Sequence, residues 1–181
     1  MPAQRSDAVR SRARILEVAR GREPHALRLN EVAREAGVGV GTVYRHFPTV
    51  QALVEALSVE TLERLREVAR EAAREPDPGA GVARMLRGAL ALQLEDGGLQ
   101  SVILAPEDGT PEVRELKRGI FADWEEVLTR ARASGALRHD VTTAQLEHLV
   151  CGVEHAVRLG SPVDRDVLLD VVLAGLSGRA D

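Results

Sequence analysis

The 181-residue chain is poor in several things that would point to other kinds of protein. Its one cysteine, Cys151, has no intrachain partner for a disulfide, which fits a reducing cytoplasm. No run of eighteen apolar residues occurs, so no membrane span is expected. The Arg-rich N-terminus, residues 1–14, lacks the apolar stretch of a secretory signal. Aromatics are confined to Tyr44, Phe47, Phe121 and Trp124, and lysine to Lys117. No Ser/His/Asp order, glycine-rich phosphate loop, paired Glu-x-x-His or Cys-x-x-Cys is present, so an enzyme is not expected, nor a cofactor. No segment alternates apolar and polar residues with period two, so strands are not expected either.

What is present is apolar content of 44%, enough for a packed core, recurring at helical spacing almost throughout. The net charge of −4 hides an asymmetry. Residues 1–50 carry an excess of four positive charges, and the remaining 131 an excess of eight negative ones. A basic head on an acidic body is the footprint of local attraction to a polyanion.

Helix punctuation divides the chain. Ser6 or Asp7 is expected to cap a first helix through Ile15, Leu16 and Ala19, closed by Gly21 and Pro24. A second helix is expected over 29–36, ended by Gly37, and a short third over 40–46, stopped by Pro48. Longer helices follow over 49–74, 80–95, 111–134, 143–159 and 163–177, with a short one over 99–105. The expected fold is all-α: a three-helix head over 1–48 and a six-helix body over 49–181.

Residues 29–47 have the form of a helix-turn-helix: a helix, a tight glycine turn and a short second helix. Val32, Ala33, Ala36 and Val38 allow a close helix crossing, and Gly37 allows the turn. Val43 and Phe47, four apart, point one face of the third helix inward. Val40, Thr42, Tyr44, Arg45 and His46 are left to face outward, an arrangement that makes poor core.

The run Ala36-Gly37-Val38-x-x-Gly41-Thr42-x-Tyr44-x-His46-Phe47, with Val32-Ala33 before it, resembles the TetR family of regulators. The likeness reaches Ile15-Leu16 upstream and Leu53 downstream. It implies a homodimer binding double-stranded operator DNA, with a small-molecule effector in the helical body. On that resemblance Thr42, Tyr44 and His46 contact phosphates, and Gly39 and Gly41 let the third helix approach the duplex. Val40 meets a thymine methyl, and Arg45 reaches guanine or a phosphate. Arg28 is a further phosphate candidate, standing where the family usually has threonine, while Val50 stands where it favours lysine. Arg10, Arg12 and Arg14 are placed to follow the adjacent backbone.

In the body, helix 163–177 is apolar nearly all round, so it must be covered on more than one side. Helix 143–159 has an inward stripe of Leu146, Leu149, Val150, Val153 and Val157. Its opposite face, His148, Cys151, Gly152, His155 and Leu159, is expected at a dimer interface with Leu168, Val172 and Leu176. The spacing of His148, Cys151 and His155 also suits a metal, but three ligands from one helix fall short of a closed zinc site and none is expected. The family resemblance places the effector among the middle helices, which nominates Leu62, Leu65, Met85, Leu86, Leu90, Phe121, Trp124 and Leu128. Such a lining is mainly aliphatic and implies an apolar or amphiphilic effector. A helical carrier that has lost DNA binding is the other reading these residues leave open.

Overall fold

The computed structural model describes residues 2–178, with side chains from Asp7 onward. Among the described residues it is all-α, with nine α-helices and one short 3-10 turn. These are α1 (Pro2–Ala19), the turn Pro24–Ala26, α2 (Leu29–Glu35), α3 (Val40–His46), α4 (Val50–Ala73), α5 (Pro78–Glu95), α6 (Leu99–Ile103), α7 (Pro111–Ala133), α8 (Thr143–Leu159) and α9 (Asp164–Leu176). The chain forms two compact units, residues 1–60 with 97–114, and residues 61–96 with 115–181.

In the first unit, α1, α2 and α3 enclose Ile15, Ala19, Leu27, Leu29, Val32, Ala33, Val43 and Phe47, all buried. α1 begins at Pro2, so Asp7 lies inside the helix and pairs with Arg10 one turn on instead of capping the start. The Ser6 side chain, the other expected cap, lies outside the described residues. α2 ends one residue short of the expected Ala36, which becomes its cap. Gly37 then takes φ +62°, and two hydrogen bonds close the turn: Gly37 N–H to the Arg34 carbonyl at 3.3 Å and Val38 N–H to the Ala33 carbonyl at 3.0 Å. This is a Schellman closure, which satisfies the last carbonyls of α2 and turns the chain directly into α3. The Arg12 guanidinium lies 5.5 Å from the Phe47 ring centroid, tying α1 to the residue that closes α3.

α4 starts after Pro48, with Thr49 Oγ1 accepting from Ala52 N–H at 3.0 Å, as expected of a threonine cap. Still in the first unit, the fully buried Glu55 accepts from Gly109 N–H at 2.8 and 3.0 Å, fastening the segment after α6 to α4.

In the second unit, Asp77 caps α5 by accepting from Gly79 and Ala80 N–H groups, and Pro78 occupies the first helical position. Gly81 and Gly88 let α5 press against α4: a Cβ at Gly81 would stand 2.8 Å from the Ala72 carbonyl, and at Gly88 2.5 Å from Val68. α8 begins with a reciprocal capping box, Thr142 Oγ1 accepting from Gln145 N–H while Gln145 Oε1 accepts from Thr142 N–H. α8 packs on α5 and α9. Its buried arc is Leu146, Val150, Cys151, Val153, Glu154 and Val157. This corrects the expected stripe at three positions: Cys151, beside Gln93 of α5, and Glu154 are buried, and Leu149 is exposed. The arc is rotated because α5 and α9 both cover α8, and together they bury the side that carries Cys151 and Glu154.

Candidate nucleic-acid interface

The first unit presents one short helix with two unlike faces. On α3, Val43 and Phe47 are fully or almost fully buried, whereas Val40 and Tyr44 keep 47% and 46% of their surface exposed. Arg45, Gly39 and Gly41 are exposed as well, and Thr42 and His46 are half-buried at the margins. The two inward anchors, four residues apart, therefore leave all seven residues nominated between 39 and 46 on or bordering one outward surface.

The glycines of this surface are not demanded by the fold. Gly39 begins α3 at φ −64°, and an added Cβ there would meet only Thr42 Oγ1 at 3.7 Å. At Gly41 it would meet nothing within 4 Å. Gly37, by contrast, is required by its positive φ.

Arg28 sits at the N-cap of α2 without making a side-chain cap, as its chemistry requires, because a guanidinium has no acceptor. Its Nη1 instead donates to the carbonyls of His25 and Leu27, both at 2.9 Å, bracing the 3-10 turn. Arg28 thus has a structural duty that sequence reasoning missed. It also borders a surface notch of about 330 Å³ lined by Leu29, Asn30, Tyr44, Pro48, Thr49 and Val50. Asn30 and Thr49 were not nominated from sequence; their only signal was their position, Asn30 at the start of the helix-turn-helix and Thr49 just after it. Of the α1 arginines, Arg10 is paired with Asp7, Arg12 stacks on Phe47, and Arg14 is exposed.

In the second unit, the residues nominated for an effector are core: Leu62, Leu65, Met85, Leu86, Leu90, Trp124 and Leu128 are buried, and Phe121 is half-buried. Of the residues nominated for a dimer surface, His148, Gly152, His155 and Leu159 are exposed, and Leu168 and Val172 are half-buried. Cys151 and Leu176 are buried inside the chain and so lie under that surface instead of on it. Leu176 is held there by the closing bridge between Leu137 and Ser177, where Arg138 N–H donates to its carbonyl at 3.1 Å. The apolar row exposed along α9 and its N-cap is Val163, Val167 and Val171, spaced by four and each about two-thirds exposed or more. Because Cys151 turns inward between two outward histidines, the three do not face a common point. Among the described residues no group of three or more His, Cys, Asp or Glu side chains could hold a metal ion. No helix among them is long and apolar enough to cross a membrane.

A helix-turn-helix with an outward recognition face, joined to a larger helical unit, defines the class of DNA-binding transcription regulators. Residues 14–57 match the family model of bacterial regulatory proteins of the tetR family, and residues 77–178 match the SbtR-like transcriptional regulator C-terminal domain. The chain belongs to the TetR family of transcriptional regulators. Similar solved structures include a TetR regulator from Mycobacterium vanbaalenii, 31% identical over 96% of this chain and 99% of that one, with a TM-score of 0.50. Another is the TetR regulator SCO0520 from Streptomyces coelicolor, 27% identical over 96% and 99%, with a TM-score of 0.56. The fold is also shared with FadR from Bacillus subtilis, solved in complex with stearoyl-CoA, at 16% identity over 93% and 98% and a TM-score of 0.58. A search of curated protein sequences found no match.

Proposed function

We propose that this TetR-family regulator is a repressor that binds a palindromic operator as a homodimer and is released by a small, mainly apolar effector. The observation that carries the reading is the outward face of α3, where an apolar Val40, a hydroxyl-bearing Tyr44 and a cationic Arg45 stand exposed beside two glycines that the chain itself does not need.

Each residue has a role. Val40 offers a methyl surface to thymine, and Arg45 offers a donor fork to guanine or phosphate. Tyr44, Thr42 and His46 donate to phosphate oxygens, and Arg28 adds positive charge at the same edge. Gly39 and Gly41 allow the backbone at the start of α3 to approach the duplex closely. The apolar row of α9 and the exposed face of α8 around Gly152 meet their copies in the partner, an isologous contact that matches a two-fold operator. Half-sites then lie about 34 Å apart, one helical turn, or a multiple of it. The effector binds within the second unit among Leu62, Leu65, Met85, Leu86, Leu90, Phe121, Trp124 and Leu128. It acts by favouring one conformer over the other, since a ligand with equal affinity for both shifts nothing.

The test is a salt-dependent shift assay with the DNA upstream of the chain's own gene. Sequence-specific binding that falls with salt supports the reading. A folded dimer that prefers no sequence overturns it and leaves a helical carrier without DNA binding.

A further inference from the structure

The notch of about 330 Å³ that Arg28 borders lies wholly within the first unit. Three stretches of chain line it: the start of α2, Tyr44 of α3, and the α3–α4 junction from Pro48 to Val50. Tyr44 belongs both to this lining and to the exposed face of α3, so the notch is continuous with that face.

Four of its side chains carry donors that the chain does not use up. Arg28 Nη1 is taken by the carbonyls of His25 and Leu27, whereas its Nε and Nη2 donate to no group among the described residues. Thr49 Oγ1 accepts from Ala52 N–H, which leaves its hydroxyl proton to be donated elsewhere. The Asn30 amide and the Tyr44 hydroxyl belong to exposed residues and make no hydrogen bond among the described residues.

The lining holds one cation and no carboxylate. Val50 brings no charge, so Arg28 is the notch's whole positive charge. Its two bonds to carbonyls hold the guanidinium in place before any ligand arrives, which lowers the entropy lost on a further contact. One fixed cation, three further donors and no acid form the donor set for an oxyanion of single charge. The phosphodiester of a nucleic-acid backbone is such a group, with one negative charge shared by two acceptor oxygens.

We propose that this notch seats one backbone phosphate of bound DNA, with Arg28 supplying the charge and Asn30 and Thr49 joining Tyr44 as hydrogen-bond donors. This rests on the DNA-binding reading above and deepens it: Asn30 and Thr49 become contact residues, and Arg28 and Tyr44 share a single phosphate instead of touching separate ones.

The test titrates the full-length protein with a random-sequence duplex by fluorescence anisotropy across a salt series, so it needs no sequence preference. Each variant is first checked for an unchanged circular-dichroism melt. Arg28→Gln is expected to lower the slope of log affinity against log salt by about 0.9, the loss of one phosphate contact. Val50→Lys sets a cation in the same notch. It is expected to restore the slope in the Arg28→Gln background and to leave the parent's slope unchanged, because one phosphate is neutralised only once. Asn30→Asp, nearly identical in shape, and Thr49→Asp, which keeps an acceptor for Ala52 N–H, are each expected to weaken binding at least tenfold. An unchanged slope in folded Arg28→Gln, a steeper slope when Val50→Lys is added to the parent, or a smaller loss in either aspartate variant overturns the proposal. If Arg28→Gln does not fold, Val50→Lys in the parent and the aspartate variants still decide it. These slopes without any preference for an operator would refute the repressor reading alone, whereas operator binding with an unchanged slope in Arg28→Gln would refute the shared phosphate alone.

Discussion

The Val38 N–H donates to the carbonyl of Ala33 at 3.0 Å across Gly37, whose φ is +62°. With the Gly37 N–H bond to the Arg34 carbonyl, this bond closes α2 and sets the direction in which α3 leaves. A side chain at Gly37 has open space but the wrong backbone, since L-residues pay roughly 1–2 kcal/mol for the left-handed conformation. Gly37→Ala is therefore expected to lower unfolding stability by about 1–2 kcal/mol in urea titrations. Gly41 is helical and its Cβ would meet nothing, so Gly41→Ala should leave stability equal or slightly higher while weakening operator binding. If Gly41→Ala binds operator as well as the parent does, that glycine does not serve close approach to the duplex.

Tyr44 and Val40 are exposed on the same face of α3 but are assigned different work. On the proposed assignment Tyr44 donates to phosphate, so Tyr44→Phe should weaken binding to specific and random DNA by similar factors. On the same assignment Val40 meets a base edge, so the effect of Val40→Ala should depend on the base, by about 1–3 kcal/mol at the contacted position. Competition binding against a set of single-base operator variants separates the two. Parallel losses for both would contradict the sorting of phosphate from base contacts.

Val163, the N-cap of α9, forms an exposed apolar row with Val167 and Val171 of the helix. Placing a charge in an apolar interface leaves it buried and unpaired in both protomers, a cost of several kcal/mol. Val167→Glu is expected to convert the dimer to a monomer in light-scattering chromatography. Thermal stability of the isolated protomer should change little, because the row is exposed in the single chain. A dimer that survives Val167→Glu places the interface elsewhere.

Glu147 has its pKa raised, first by burial, with His148 and Lys117 drawing it partly back. A carboxyl whose folded pKa lies above its unfolded value favours the fold while it is protonated and loses that contribution as pH rises through the folded value. Glu147→Gln does not titrate, so its melting temperature relative to the parent should rise from pH 4 to pH 8. Glu125 has the opposite sign, its pKa lowered chiefly by the hydrogen bond from Thr143 and then by Arg132. Its support of the α7–α8 junction is present above the ordinary carboxylate range and is lost as pH falls through its depressed value. Melts of Glu147→Gln and Glu125→Gln from pH 3 to pH 8, each against the parent, check the two signs.

Much of the head was legible in sequence because its constraints are local. Gly37 dictates a turn by its own φ, Pro48 stops α3, and Val43 with Phe47 fixes which face turns in. α3 accordingly spans the expected residues, Val40–His46. α1 was less legible, since nothing in its first residues announces a start and the acid taken for a cap lies mid-helix. On α8 the period was readable but its phase was not. Whether Leu149 or Cys151 turns inward depends on where α5 and α9 lie, which is tertiary information. α9 shows the same limit: apolar nearly all round, it gave no sequence reason to choose Val163, Val167 and Val171 as the exposed row over Leu176. The buried, unpartnered polar atoms of Gln93, Trp124 and Glu147 carry no sequence motif.

The most direct measurement is the affinity of the protein for the proposed palindromic operator, sought upstream of its own gene, against a scrambled duplex of equal length, by fluorescence anisotropy across a salt series. The account predicts a preference for the palindrome of about a thousandfold or more at physiological salt, with affinity for both duplexes falling linearly on a log–log plot against salt. Equal affinity for the two duplexes in a folded dimer would contradict it.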